Sequence, residues 1–142
     1  MNSQLLTVNV SCRDNDQCLF TGEDIFLDIR IVNNENKDIG FPLEFVKSKG
    51  PVVRLVDTKT KKETFIPTHP PDQELMEKYV TIRPNQSVKV EWVVTARELQ
   101  QFGEDVDLML EVTIMADIRI ENKKVTYKGS GSRRIDSKSP VS

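Results

Sequence analysis

Residues 106–116 read VDLMLEVTIMA. Val106, Leu108, Leu110, Val112, Ile114 and Ala116 fall on every second position. Side chains along a β-strand point alternately to opposite faces, so this rhythm puts six apolar groups on one side of one long strand. A helix would need recurrence at three and four residues instead. The same beat is found elsewhere. LLTVNVSC (5–12) places Leu6, Val8, Val10 and Cys12 together, with Thr7, Asn9 and Ser11 opposite. DIFLDIRIVN (24–33) sets Ile25, Leu27, Ile29 and Ile31 against Asp28 and Arg30. In SVKVEWVV (87–94), Val88, Val90, Trp92 and Val94 face away from Lys89 and Glu91. Strands with one greasy and one wet face belong to antiparallel sheets; a parallel α/β sheet would show continuous apolar strands separated by helices.

Weaker strands fill the gaps. IGFPLEF (39–45) has Phe41, Leu43 and Phe45 in register, and Pro42 places it at an edge or bulge because proline donates no ladder hydrogen bond. PVVRLVD and ETFIP flank TKTKK and read as a hairpin with a basic tip. YVTI precedes a turn at RPNQS, where Pro84 and Asn85 suit the central positions. DIRIENKKVTYK reads as a second hairpin that turns near Glu121–Lys123. One helix has a start signal: in TARELQQFG, Thr95 as N-cap and Glu98 three residues on form a capping box, and Gly103 can end it. It is expected to cross from one sheet to the other. PDQELMEKY allows a further helical turn. The fold expected is an all-β antiparallel sandwich of about seven to nine strands with one short crossover helix.

The order of turns is similar to that of bacterial immunoglobulin-like domains. There, N-x-x-x-x-D-I follows the second strand and L-x-P-G-x-S precedes a later one. Here Asn33 to Ile39 (NNENKDI) and IRPNQS match. The layout also resembles the intracellular proteinase inhibitor of the BsuPI type and the sandwich module beside some metallopeptidases. The resemblance covers residues 24–116 and implies an immunoglobulin-like fold. Asn85 stands where glycine is usual and the inhibitor family's aromatic-rich middle is missing, so no functional residue is carried over.

The 142 residues suit one domain, with 37% apolar and 30% charged residues and a net charge of −2. The sandwich is expected over residues 1–128. The tail 129–142, GSGSRRIDSKSPVS, has almost no apolar content and reads as a disordered basic tail. Charge is segregated along the chain: residues 98–111 are acidic, while 47–62 and the C-terminal stretch are basic. Such segregation can steer a partner. No apolar run is long enough to span a membrane as a helix. No leader is recognisable, so the expected location is cytoplasmic if Met1 is native and secreted or periplasmic if a leader was removed. Cys12 and Cys18 can bridge only if the chain turns at RDNDQ; otherwise they are free thiols. Sequons stand at Asn9 and Asn85.

Catalytic chemistry finds little support. His69 is the only histidine and sits in the stiff stretch IPTHPP. Its sharp reading is a dyad with Cys12 or Cys18 in a small hydrolase; its bland one is a loop histidine. No metal site is expected, although RDNDQ and GEDVD offer oxygen ligands to calcium, and no cofactor motif occurs. Only 6% of residues are aromatic, which argues against a nucleic-acid stacking platform. The expected function is therefore non-enzymatic binding of a protein partner through end loops or a sheet edge, in the manner of an inhibitor or immunity protein. Candidate contacts are Lys49 in the SKGP loop and Lys47 just before it, Lys59, Lys61 and Lys62 at the hairpin tip, and His69, Pro70 and Pro71 in the proline loop. A self-associating structural or adhesive module is the alternative.

Overall fold

A computed structural model describes residues 5–13, 18–70 and 72–137. Nine strands run in order through the chain: β1 (Leu6–Cys12), β2 (Ile25–Asn33), β3 (Ile39–Phe41), β4 (Val52–Asp57), β5 (Glu63–Ile66), β6 (Val80–Ile82), β7 (Ser87–Val94), β8 (Asp107–Ile120) and β9 (Lys123–Asp136). Helix α1 (Leu43–Lys49) lies between β3 and β4, and α2 (Ala96–Gln100) between β7 and β8. A 3-10 turn, Gln73–Leu75, is capped by the Asp72 carboxylate, which accepts the Glu74 N–H.

Two antiparallel sheets face each other. The first has the order β1-β2-β7. The second is built on β8, which β9 lines from Asp107↔Asp136 to Ile120↔Lys123. On its other side β8 is shared by β4, from Val52↔Thr113 to Asp57↔Leu108, and by β3 at Ile39↔Ile120. Strands β5 and β6 flank β4 and β3. Alternation decided this arrangement. Leu6, Val8, Val10 and Cys12 are buried, as are Ile25, Leu27, Ile29 and Ile31, and Leu108 through Ile118 at every second position. The expected β-sandwich is the one observed. Helix α2 makes the expected crossover between sheets, with its capping box in place: Glu98 Oε1 accepts from the Thr95 N–H at 3.0 Å, and Thr95 Oγ1 accepts the Glu98 N–H at 3.3 Å. At Asn85, φ is +64°, a backbone that asparagine tolerates better than most residues.

Three expectations are corrected. Leu43 and Phe45 do not continue a strand; they open α1, so there are two α-helices among the described residues, not one. Pro42 ends β3 and occupies the position before the helix, where its missing N–H removes nothing, and Leu, Glu and Lys favour the turn that follows. Glu44 lies in the first turn and Lys47 and Lys49 in the last, which complements the helix dipole.

The second correction concerns the tail. Residues 129–136 are the second half of β9, with Ile135 fully buried. Gly129 and Gly131 are not linker residues. They face inward where β9 passes β1, and a Cβ on Gly131 would come 2.4 Å from the Val8 carbonyl oxygen. The buried Tyr127 hydroxyl donates to the Leu6 carbonyl at 3.1 Å across the same seam. Residues 138–142 lie outside the described residues.

Third, the segregated charges meet across strands. Asp107 takes two hydrogen bonds from Arg134, at 2.8 and 2.6 Å, and Arg54 bridges Glu63 at 2.7 Å and Glu111 at 3.8 Å. The acidic stretch is thus paired with both basic stretches by the register of the second sheet. Cys12 and Cys18 are joined in a disulfide. Phe20 N–H donates to the Asp136 carbonyl at 3.0 Å, so the bridge fastens β1 of one sheet to a segment paired with β9 of the other. By loop entropy such a short closure contributes about 2 kcal/mol.

Candidate functional site

The sandwich is not equally closed on its two sides. On one, β1 meets β9 through Gly131 and Tyr127. On the other, β7 pairs only with β2 and β5 only with β4 among the described residues. Between these two strand edges lies a groove of about 580 Å³, lined by Arg13, Phe26, Ile66, Pro67, His69, Glu91, Trp92, Val93 and Glu98.

Each wall follows from local sequence. Phe26 and Val93 are apolar residues at solvent-facing positions of β2 and β7, and the register sets them side by side. Phe26 is 39% exposed. Trp92 shares the inward phase of β7, yet it is only half-buried. One side of its ring packs on the core and another part lines the groove, which corrects the expectation of a plain core tryptophan. Its position is fixed from α1. Gly50 ends that helix at φ +85° and lies so close that a Cβ there would meet the indole at 2.6 Å. The same helix end holds the proline loop, because the His69 N–H donates to the Lys49 carbonyl at 2.9 Å. His69 is exposed and meets Trp92 edge-to-face, with ring centroids 6.1 Å apart.

The charged groups of the groove are arranged as follows. The Arg13 guanidinium lies 5.6 Å over the Phe26 ring and pairs with Asp28 at 3.4 Å and Glu91 at 3.0 Å. Lys89 also pairs with Glu91, at 3.5 Å. Glu98 is half-buried and held by its capping bonds to Thr95.

The structure brings the sequence candidates together only in part. His69 lines the groove, and Pro70 follows it in the exposed loop. Pro71 lies outside the described residues. Lys47 and Lys49 belong to α1, not to a loop; Lys47 pairs with Glu44 at 3.4 Å. Lys59, Lys61 and Lys62 lie at the other end of the β4–β5 hairpin. The six residues of β4 separate the two groups by about 20 Å. At the tip, the Asp57 carboxylate accepts the N–H groups of Thr60 and Lys59, and these bonds, that of Thr60 first, hold its pKa below the ordinary value. The Lys62 ammonium sits 5.7 Å over the Phe102 ring. One basic surface is therefore not formed.

Sequence reasoning missed Phe26, Val93, Ile66, Arg13 and Glu98. Phe26 and Val93 did carry a signal: bulky apolar residues in the wet phase of alternating strands. For catalysis, the disulfide ties up both sulfurs, so the dyad considered for His69 has no thiol. Among the described residues, no three His, Cys, Asp or Glu side chains gather to hold a metal ion. Within GEDVD, Asp107 is directed to Arg134; Asp14 and Asp16 of RDNDQ lie outside the described residues. Among the described residues, no helix is long and apolar enough to cross a membrane.

Neither a protein-family profile nor a curated protein matches the chain. Among solved structures, it is similar to the X-ray structure of Northeast Structural Genomics Consortium target SoR45. The TM-score is 0.52 at 10% identity, over 98% of this chain and 90% of that one. A crystal structure of a protein from Archaeoglobus fulgidus gives a TM-score of 0.38 at 11% identity, over 93% of this chain and 96% of that one. The first likeness supports the two-layer fold and nothing beyond it.

Proposed function

We propose that this chain is a non-enzymatic protein-binding domain that receives its partner in the groove between β7 and β5. One observation carries the reading: five apolar residues, Phe26, Val93, Trp92, Ile66 and Pro67, line one groove beside two strand edges that pair with nothing further among the described residues. Natural proteins blunt such edges by charge, proline or cover, so a greasy open edge is a surface suited to strand addition or to a docked segment. The walls are already rigid. Trp92 is wedged by Gly50, and the proline loop is tied to α1, so binding orders little that is free. An inhibitor or immunity-type protein is the form of binding that this stiff loop suits. The turn at Asn33–Ile39 and the Pro84–Asn85 turn support an immunoglobulin-like type of sandwich, in which function commonly sits on such edges and end loops.

A photocrosslinker tests this reading. Val93→p-benzoylphenylalanine puts the reactive group in the groove, and Met115→p-benzoylphenylalanine puts it on an exposed site of the other sheet. A protein from the source cells captured from position 93 and not from position 115 is the result expected. Equal capture from both positions, or none from position 93, refutes the groove as the binding surface.

A further inference from the structure

The charges around the groove are unequal in their partners. Arg13 is engaged by Asp28 and Glu91, and Glu91 is held in addition by Lys89. Glu98 has no cationic partner among the described residues. Its Oε1 accepts from the Thr95 N–H at 3.0 Å and the Thr95 hydroxyl at 2.9 Å, which fixes the carboxylate in one place. It is half-buried and lines the same groove as the Trp92 and His69 rings. A carboxylate drawn partly out of water, with no cation of its own, gains when a positive group is supplied to it. Aromatic faces beside it favour the same charge. The Arg13 site shows the chemistry within the chain: a guanidinium over Phe26, between two carboxylates.

Building on the proposed binding function, we infer that the groove takes a basic side chain, arginine or lysine, from an extended segment of the partner protein. The aliphatic stem lies on Trp92 and Ile66, and the charged head reaches Glu98. Long basic side chains bury their carbon stems while keeping the charge at a polar site, which matches a groove lined by apolar residues and a carboxylate. The strand edges of β7 and β5 offer backbone groups to the same segment.

Trp92 is the only tryptophan of the chain, so its fluorescence reports the groove directly. The probes are three capped pentapeptides, Thr-Val-Arg-Val-Thr and its counterparts with norleucine or glutamate at the centre. The arginine peptide is expected to bind roughly tenfold more tightly than the norleucine peptide, and the glutamate peptide more weakly than either. Glu98→Gln keeps an acceptor for the capping box, so it should fold as the wild type does while the arginine preference disappears. If the norleucine peptide binds as tightly as the arginine one, the basic side chain is wrong and the binding groove stands. An arginine preference that survives Glu98→Gln overturns the assignment of Glu98. If no peptide shifts the fluorescence up to millimolar concentration, the inference fails, and the binding function then rests on the crosslink from position 93.

Discussion

Asn33 offers the sharpest test of how the two sheets are joined. It ends β2 in the first sheet, and it is the one polar residue fully buried among those described. Its Nδ2 donates to the Ile82 carbonyl of β6, in the second sheet, at 2.8 Å, and to the Lys37 carbonyl at 2.7 Å. Its Oδ1 accepts the Glu35 N–H at 2.8 Å. Asn33→Ala removes all three bonds, and their worth differs. The Ile82 carbonyl loses a buried hydrogen bond, at a cost of about 1–3 kcal/mol; the other two bonds are partly exposed and cost about 0.5–1.5 kcal/mol each because water can replace them. The sum is a loss of about 2–6 kcal/mol. Asn33→Asp separates hydrogen bonding from packing. Near neutral pH its carboxylate faces two carbonyl oxygens, so burial and repulsion raise its pKa in the folded state. A raised folded pKa means that the destabilisation sets in as pH rises and is relieved as pH falls below it. Urea unfolding at pH 7 and pH 4.5 reads both effects. The alanine variant should lose several tenths of its midpoint or more, and the aspartate variant should be the weaker of the two at pH 7 and recover at pH 4.5. An alanine variant within 0.5 kcal/mol of wild type, or an aspartate variant indifferent to pH, would refute the role given to Asn33; the margin of about 0.5 kcal/mol is the scatter of neutral surface changes.

Two further outcomes follow from the second half of β9. Gly131→Ala brings a methyl group to 2.4 Å from the Val8 carbonyl oxygen, so β1 and β9 must separate; a loss of about 1–3 kcal/mol in thermal or urea unfolding is expected, and a neutral variant would show that the seam is looser than described. Arg134 holds the Asp107 carboxyl below its ordinary pKa, first through their hydrogen bonds and then by charge. A depressed folded pKa stabilises above the unfolded value near 3.9 and is lost as pH falls through the folded one, so Arg134→Gln should flatten the acid side of the stability profile between about pH 5 and pH 2. An unchanged acid limb would remove Asp107 from the acid-sensitive set.

Period-two alternation made the sheets legible because it reports a property of the backbone that tertiary context does not alter. The buried faces of β1, β2 and β8 lie where the alternation places them. Reading failed where a residue type has two physical uses. Gly129, Ser130, Gly131 and Ser132 have linker composition, yet here the glycines are positions with no room for a side chain, because the Tyr127 side chain lies over Gly129 and β1 passes within contact of Gly131. Nothing local to GSGS announces a strand on the opposite sheet. Phe41, Leu43 and Phe45 keep strand phase, but Leu43 and Val46 also keep helix phase, and Pro42 decides between them by ending β3. Asn33 was visible only as the first residue of a turn pattern. Its use, stitching the end of β2 to β6, depends on a pairing 49 residues away.

The groove was half legible for a related reason. His69 and its prolines were conspicuous by composition, but a site between two sheets is made by edges, and edges are decided by which strands remain unpaired. That follows from α1. Because residues 43–49 coil into a helix, they do not extend the second sheet past β3; instead they deliver Gly50 onto Trp92 and the Lys49 carbonyl to His69. The helix braces one side of Trp92 and leaves the other facing the groove. Phe26 and Val93 then lie on the wet face of the first sheet, next to that opening, with the Arg13 guanidinium over the Phe26 ring. Isolated exposed apolar residues need no explanation, but Phe26 and Val93 are cross-strand neighbours and line one groove with Trp92, Ile66 and Pro67. Of the carboxylates lining the groove, Glu98 has no cationic partner among the described residues, and it is fixed by the same capping box that starts α2. The residue that closes the capping box of the crossover helix is thereby also the residue proposed to recognise the partner's charge, so fold and proposed recognition meet at one side chain and can be separated by Glu98→Gln.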